Sequence, residues 1–154
     1  MRCIYYPLIY SKFQYLISIW GSANKSTIKP LQTLQNKIIK CIHFLPFLEP
    51  SKNLYRPMGY LNLEQIYKLK LCIFIHNLKI KNKDSSIKLF NLNHDYDTRN
   101  NNLLETIKIK SNFGKKNLLY NGILTYNALP NYLKNNTNIS IFKRNCKKYF
   151  SCNN

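Results

Sequence analysis

Acidic side chains are the first place to look for chemistry, and this chain has few of them. Enzymes that make or cut phosphodiester bonds gather carboxylates around two metal ions. The six Asp and Glu residues are Glu49, Glu64, Asp84, Asp95, Asp97 and Glu105, and none of the Asp residues are adjacent. Asp95 and Asp97 flank Tyr96 beside His94, a spacing better explained by side-chain hydrogen bonds to a turn than by a metal. The sequence therefore predicts no catalytic residues.

Cysteine and histidine are the other residues that could do chemistry. Cys72 and His76 are one helical turn apart, and Cys41 with His43 would complete a set of four zinc ligands. The spacing of Cys41 and His43 is poor for zinc, however, and a reduced cysteine in a core is commonly a small apolar residue. The five cysteines are odd in number and scattered, which indicates an intracellular, reducing compartment rather than a disulfide framework. We therefore predict no metal and no cofactor in this chain.

Basic residues carry the strongest functional signal. The chain has 24 Lys and Arg against 6 Asp and Glu, a net charge of +18. Such a charge predicts a polyanionic partner, with nucleic acid the first candidate and an anionic membrane surface the second. The candidate contacts for RNA or DNA are Lys115 and Lys116 in one cluster, and Lys143, Arg144, Lys147 and Lys148 on the outer face of the last helix. Taken singly, each of these lysines is better explained as a solvated position on a helix.

These residues must be positioned by a fold that the apolar spacing predicts to be mainly α. We expect one domain, residues 1–154, built as an irregular bundle of about five helices with at most a short strand or hairpin near 103–110. The length is sufficient to bury a core without disulfides or metals. The predicted helices cover Ile4–Trp20, about Thr27–Ile42, Leu63 to about Leu78, about Lys115–Asn127, and about Asn138–Phe150.

Local signals define the ends and faces of these helices. Gly21 is expected to stop the first helix, and Asn62 with Gln65 to form a capping box at the start of the third. The second helix is expected to bury Leu31, Leu34, Ile38, Ile39 and Ile42. The last is expected to bury Ile139, Phe142, Cys146, Tyr149 and Phe150.

No apolar run of the sequence is long enough to predict a membrane span. The first 23 residues have some features of a signal peptide, but Lys12 and Gln14 interrupt the apolar region. The alternation of apolar and polar residues there suits an amphipathic helix better, so we predict that the chain is not secreted.

Short motifs follow one another along the chain in a fixed order. They are Tyr5-Tyr6-Pro7-Leu8-Ile9-Tyr10, Tyr15-Leu16 with Trp20-Gly21, Leu31-Gln32 with Gln35, Met58-Gly59-Tyr60-Leu61, Tyr96 with Thr98-Arg99, Gly122 to Pro130, and Phe142 to Phe150. As an ordered set they resemble the C-terminal region of reverse transcriptases from non-LTR (LINE-type, jockey- or CR1-like) retrotransposons. The departures are Ser11 where proline is usual, Leu16 where glycine is usual, and Tyr126 where a tryptophan is usual.

The resemblance implies that this chain is the N-terminally truncated C-terminal part of an RNA-directed DNA polymerase. The catalytic palm, with its paired aspartates and Mg²⁺, would lie upstream, and the upstream polymerase domains would be partners. The chain itself would not be an enzyme. It would act in the nucleus and cytoplasm by holding template RNA or target DNA, and Arg99 would join the basic contacts. Arg99 could equally bind loop carbonyls as a structural residue.

Two alternatives remain open at the level of sequence. The chain could be an independent basic helical module that binds nucleic acid or an anionic membrane by charge alone. It could also be a non-functional remnant of a decayed element, because A/T-rich codons favour the Lys, Asn, Ile, Tyr and Phe in which it is rich.

Overall fold

The protein is mainly α-helical, as the sequence predicts. The computed structural model describes residues 2–50, 55, 57–83, 103–106 and 108–152. The helices of the central and C-terminal regions are α1 (Lys25–Ile42), α2 (Leu63–Lys83), α3 (Leu118–Asn127), α4 (Asn131–Lys134) and α5 (Ile139–Cys152). In the described residues between 103 and 110 there is no strand, so the short strand allowed there is absent from them.

The chain divides into two compact units. Unit 1 comprises Met1–Tyr67 and Lys148–Asn154, and unit 2 comprises Lys68–Lys147. Helices α2 and α5 each contribute residues to both units. That residues 1–154 fold as a single domain stays a prediction.

The first part of unit 1 is a helical segment that is less regular than predicted. Its pieces are Arg2–Ile4, a π-helical stretch Tyr5–Tyr10, Ser11–Gln14 and Ile17–Trp20. Pro7 has no N–H to donate to the preceding turn and its ring crowds the carbonyl there, which a wider π turn accommodates. The Ser11 hydroxyl donates to the Pro7 carbonyl. The uninterrupted helix Ile4–Trp20 is therefore a wrong prediction.

A break at Tyr15 and Leu16 separates the last piece of this segment. Leu16 has φ 48° and ψ 21°, the left-handed conformation that favours glycine. The Trp20 indole N–H donates to the Tyr15 carbonyl at 2.8 Å, a hydrogen bond that spans the break. Leu16 is half exposed, whereas the next residue, Ile17, is buried.

Gly21 ends this segment, as predicted, but not through a left-handed conformation. Its φ is −66°, and its N–H donates to the Ile17 carbonyl at 2.8 Å. A Cβ at Gly21 would come within 2.8 Å of the Tyr67 ring carbon Cγ. Glycine is required because the Tyr67 ring lies directly against the backbone.

The core of unit 1 contains a polar network that apolar spacing does not reveal. Gln35 on α1 is fully buried, and its side-chain amide donates to the Tyr5 hydroxyl and to the Leu61 carbonyl, both at 2.8 Å. Gln32 donates to the Tyr55 hydroxyl at 2.7 Å and accepts from the Leu63 backbone N–H at 3.0 Å. The two glutamines of the Leu-Gln-x-x-Gln motif thus hold α1 to the start of α2.

This network changes the predicted buried face of α1. The prediction placed Leu31 and Leu34 in the core, but both are exposed. Ile39 is buried as expected, while Ile38 and Ile42 are half-buried. The buried stripe is centred on Gln35, whose hydrogen bonds offset the cost of removing an amide from water.

Helix α2 begins with the predicted capping box. The Gln65 N–H donates to Asn62 Oδ1 at 2.8 Å, and the Asn62 N–H donates to Gln65 Oε1 at 2.9 Å. The Gln65 amide also donates to the Phe150 carbonyl at 2.7 Å within unit 1. The helix extends to Lys83, five residues beyond the predicted end at Leu78.

The core of unit 2 is formed by the remaining part of α2 together with α3, α4 and α5. Its buried apolar side chains are Leu69, Leu71, Cys72, Ile75, Leu104, Ile123, Tyr126, Leu129, Leu133, Phe142 and Cys146. A Cβ at Gly122 would lie 2.8 Å from Ile75, so glycine lets α3 approach α2 closely. The Asn127 side chain accepts from the Leu104 N–H at 3.0 Å and donates to the Leu104 carbonyl at 2.9 Å.

Candidate nucleic-acid interface

Helix α5 is amphipathic, with an apolar stripe on one side and basic residues on the other. Asn138 caps the helix, because its side-chain oxygen accepts from the Ser140 N–H at 2.9 Å. Phe142, Cys146 and Phe150 are buried, as predicted. Ile139 was predicted to be buried but is 42 % exposed, because it lies in the first turn, where the buried stripe has not yet begun.

The basic residues predicted on α5 lie on the face opposite this stripe. Lys143 and Arg144 are exposed, and Lys147 is half-buried; all three belong to unit 2. Lys148 is also exposed and belongs to unit 1. Positions 143, 144 and 147 are one helical turn apart or adjacent, so their charged groups are presented together.

Phe142 fixes the orientation of α5 in unit 2. Its ring stacks on the His76 imidazole with centroids 3.8 Å apart and an interplanar angle of 8°. His76 Nδ1 lies 3.1 Å from the Tyr126 hydroxyl. Burial lowers the pKa of His76, and the charge of Lys79 lowers it further, whereas the Asn136 backbone raises it. A neutral imidazole therefore packs under the basic face.

Lys70 on α2 is a basic residue that interacts electrostatically with Lys143 and that sequence spacing did not indicate. It is half-buried, and its pKa is lowered first by burial and then by the positive charge of Lys143. The two ammonium groups therefore lie within range of mutual repulsion. Among the described residues no carboxylate contributes to this shift. A bound phosphate would stabilise both charges.

Lys70 was missed because it lies in the apolar stretch of α2. The packing of α2 against α5 in unit 2, through His76 with Phe142, brings Lys70 within electrostatic range of Lys143. No pattern within either helix predicts which residues of the other will be its neighbours.

The other predicted contacts lie on different elements. Lys115 and Lys116 are both exposed on the short 3-10 turn Gly114–Lys116, where the sequence predicted the first turn of a helix. Helix α3 instead begins at Leu118, because Asn117 caps it by accepting from the Leu119 N–H at 2.8 Å. Arg99 lies outside the described residues.

The potential metal ligands are used in packing. Cys72 is buried in unit 2, beside the stacked His76, whereas Cys41 is exposed in unit 1. His43 Nε2 lies 3.0 Å from the Tyr60 hydroxyl. Within the part of the chain that the structure describes, no three His, Cys, Asp or Glu side chains are grouped so that they could hold a metal ion. His94, Asp95 and Asp97 lie outside that part.

Among the described residues, none of the helices combines the length and the apolar character needed to cross a membrane. Comparison with protein-family models, with curated proteins and with solved structures finds no match to this chain. Function must therefore be inferred from the residues and their positions.

Proposed function

We propose that this chain binds nucleic acid through the basic face of unit 2, formed by Lys70, Lys143, Arg144 and Lys147. The observation that carries the proposal is the exposure of Lys143 and Arg144 opposite the buried Phe142. Lys70 adds to it as a half-buried cation whose pKa is lowered by burial and then by the charge of Lys143. Helix α5 is thus anchored on its apolar side and presents its cations on the other. Phosphate groups would release counterions from this face, which gives affinity without sequence selectivity.

The charge distribution supports a polyanionic ligand for this unit. Over residues 68–147 the sequence has fifteen Lys and Arg residues and four Asp and Glu residues, a net charge of +11. Surplus charge of one sign destabilises a compact unit by self-repulsion, and a polyanion relieves it. The pKa of Lys70 is lowered first by burial, and the charge of Lys143 adds a smaller lowering of the same sign as this repulsion.

We further propose that the chain is a non-catalytic C-terminal portion of a non-LTR retrotransposon reverse transcriptase. The backbone supports this resemblance at two motif positions. Leu16, where that family usually has glycine, adopts a left-handed conformation with φ 48°, and Gly59 has φ 66°. At both positions the positive φ favours glycine, because glycine has no Cβ. Two further motif residues make hydrogen bonds inside their own units. Gln35 binds Tyr5 and Leu61 within unit 1, and Asn127 binds the Leu104 backbone within unit 2.

A salt titration tests the proposed binding. The full chain would be titrated with a labelled RNA duplex, a DNA duplex and anionic lipid vesicles over a range of salt concentrations. If about six phosphates are neutralised, the logarithm of duplex affinity should fall with the logarithm of salt concentration at a slope of about −5. Absent or salt-independent duplex binding would contradict the proposal. Tighter binding to the vesicles would favour a membrane-surface protein instead.

The proposed origin needs a separate test. Reading the DNA and transcript upstream of Met1 should reveal an in-frame polymerase palm with an adjacent pair of aspartates. An upstream sequence without such a palm would contradict a role within a reverse transcriptase. Binding by the chain alone could still be tested by the salt titration.

A further inference from the structure

A loop of unit 1 that is attached to its core holds large apolar side chains in solvent. The loop spans residues 44–48, directly after α1, and Phe44, Phe47 and Leu48 are 85 %, 71 % and 95 % exposed. The loop is fixed at its base, because Leu45 packs against the buried cluster of unit 1 and its N–H donates to the Lys40 carbonyl at 3.0 Å. The backbone that carries the exposed apolar side chains is therefore held to the core of unit 1 at Leu45. Exposed apolar groups in this arrangement mark interaction sites.

Two lysines of α1 converge on one ring of this loop. The ammonium nitrogens of Lys37 and Lys40 each lie 5.7 Å from the centroid of the Phe47 ring. The Lys40 ammonium also donates to the Phe47 carbonyl at 2.8 Å, which holds the ring close to both charges. The result is a largely exposed aromatic ring with two cations over it.

We propose that Lys37, Lys40, Phe44 and Phe47, here called the aromatic loop site, bind single-stranded nucleic acid. A single strand alternates planar bases with phosphates, and proteins that bind it combine aromatic rings with cations. Bases stack on the exposed Phe44 ring and on the part of the Phe47 ring that the two lysines leave uncovered, and the adjacent phosphates bind between the two lysines. This inference rests on the proposed nucleic-acid binding and adds a site specific for unpaired bases.

A duplex cannot make the stacking contacts of this site, because its bases are stacked on each other and are not free to stack on a phenylalanine ring. A membrane would use the loop differently. Insertion into a bilayer depends on apolar area, to which the most exposed residue, Leu48, would contribute without any need for an aromatic ring. The two lysines on the Phe47 ring are the feature that favours a nucleotide.

Substitutions at Phe47 test the stacking directly. The full chain would be titrated with a single-stranded RNA oligonucleotide that carries 2-aminopurine, whose fluorescence is quenched when it stacks. F47A and F47L should both weaken binding by about 5- to 150-fold, the range for loss of one stacked base. F47W should retain binding and quenching. L48A, a change in the same loop, is the matched control and should leave both unchanged.

The lysines are tested by the salt dependence. K37Q should reduce the steepness of the salt dependence for the single strand by about 0.7, the value for one phosphate contact. The duplex affinity of all these variants should equal that of the unaltered chain, because the duplex face lies in unit 2. Circular dichroism would establish that each variant keeps its helices.

The outcomes separate this inference from the proposed function. If F47L and F47A bind the single strand as well as the unaltered chain, while the duplex binds with its salt dependence, the aromatic loop site is overturned and the proposed function stands. If the unaltered chain binds neither single strand nor duplex, both fail. If phosphatidylserine vesicles bind, L48A weakens that binding and F47L does not, the loop is a membrane contact and the inference is overturned.

Discussion

The side-chain amide of Gln35 donates to the hydroxyl of Tyr5 at 2.8 Å, and both side chains are fully buried. The same amide donates to the Leu61 carbonyl, so one glutamine joins three segments of unit 1. This contact explains why a helix with an apolar pattern around Leu31 and Leu34 buries a glutamine instead.

We expect Q35L to destabilise the chain by about 2–4 kcal/mol. The substitution removes both donations and leaves the Leu61 carbonyl buried without its partner, which costs about 1–3 kcal/mol for each such group. Urea denaturation followed by circular dichroism would measure the loss. L34A, an exposed neighbour on the same helix, is the control and should cost about 1 kcal/mol or less. Equal stability of Q35L and the unaltered chain would show that the network is unimportant.

Stability should fall as the pH rises above 10. Burial raises the pKa of Tyr5 to about 12 from the ordinary value of 10.0, and burial also raises that of Tyr10 to about 12. The unfolded chain therefore releases these protons at a lower pH than the folded chain does. The stabilisation is complete below pH 10 and is lost as the pH rises through 12, by up to about 3 kcal/mol for the fully buried Tyr5.

Unfolding free energies measured from neutral to alkaline pH would check this, with tyrosinate absorbance as the second signal. Y5F should show a weaker dependence on pH over this range. A stability that is constant through pH 12 would contradict the burial of Tyr5.

The five cysteines should react in two classes. Cys3, Cys41 and Cys152 are exposed, whereas Cys72 and Cys146 are buried in unit 2. Burial raises the pKa of the Cys146 thiol to about 12 and also raises that of Cys72, so neither forms the reactive thiolate at neutral pH. A thiol reagent should modify three groups in the native chain and five after denaturation. Rapid modification of all five would indicate that the unit 2 core is open.

L16G should stabilise the chain by up to about 1 kcal/mol. A left-handed conformation costs a non-glycine residue about 1–2 kcal/mol, and the larger freedom of glycine in the unfolded chain reduces that gain by about 0.4–1 kcal/mol. The control is I19G, an exposed position in the next helical piece, which should lose about 1 kcal/mol. A destabilised L16G would mean that residue 16 does not hold a left-handed conformation in solution.

Local sequence signals predicted several elements correctly. The Asn62 and Gln65 capping box and the buried Phe142 and Cys146 of α5 depend on residues three or four positions apart, which helical geometry brings together whatever surrounds the helix. The mainly α class and the exposure of Lys143 follow from the same periodicity.

Features that depend on distant partners could not be predicted. Burial of Gln35 requires Tyr5 and Leu61 as acceptors, and the proximity of Lys70 to Lys143 requires α2 to pack against α5 in unit 2. The break at Leu16 was missed because leucine ordinarily favours a helix. Four of the seven predicted contacts lie on one helix, two lie on the turn before α3, and Arg99 lies outside the described residues.

The most direct test of the central claim is the salt dependence of RNA-duplex binding by K143Q/R144Q, compared with K25Q. Lys25 is exposed at the start of α1 in unit 1, so K25Q removes a charge that is not one of the four residues of the proposed face. We predict weaker binding by K143Q/R144Q at every salt concentration, with a slope smaller by about 2, and little change for K25Q. Equal losses in affinity and slope for each charge removed, wherever it lies, would contradict the account, because binding would then follow net charge alone.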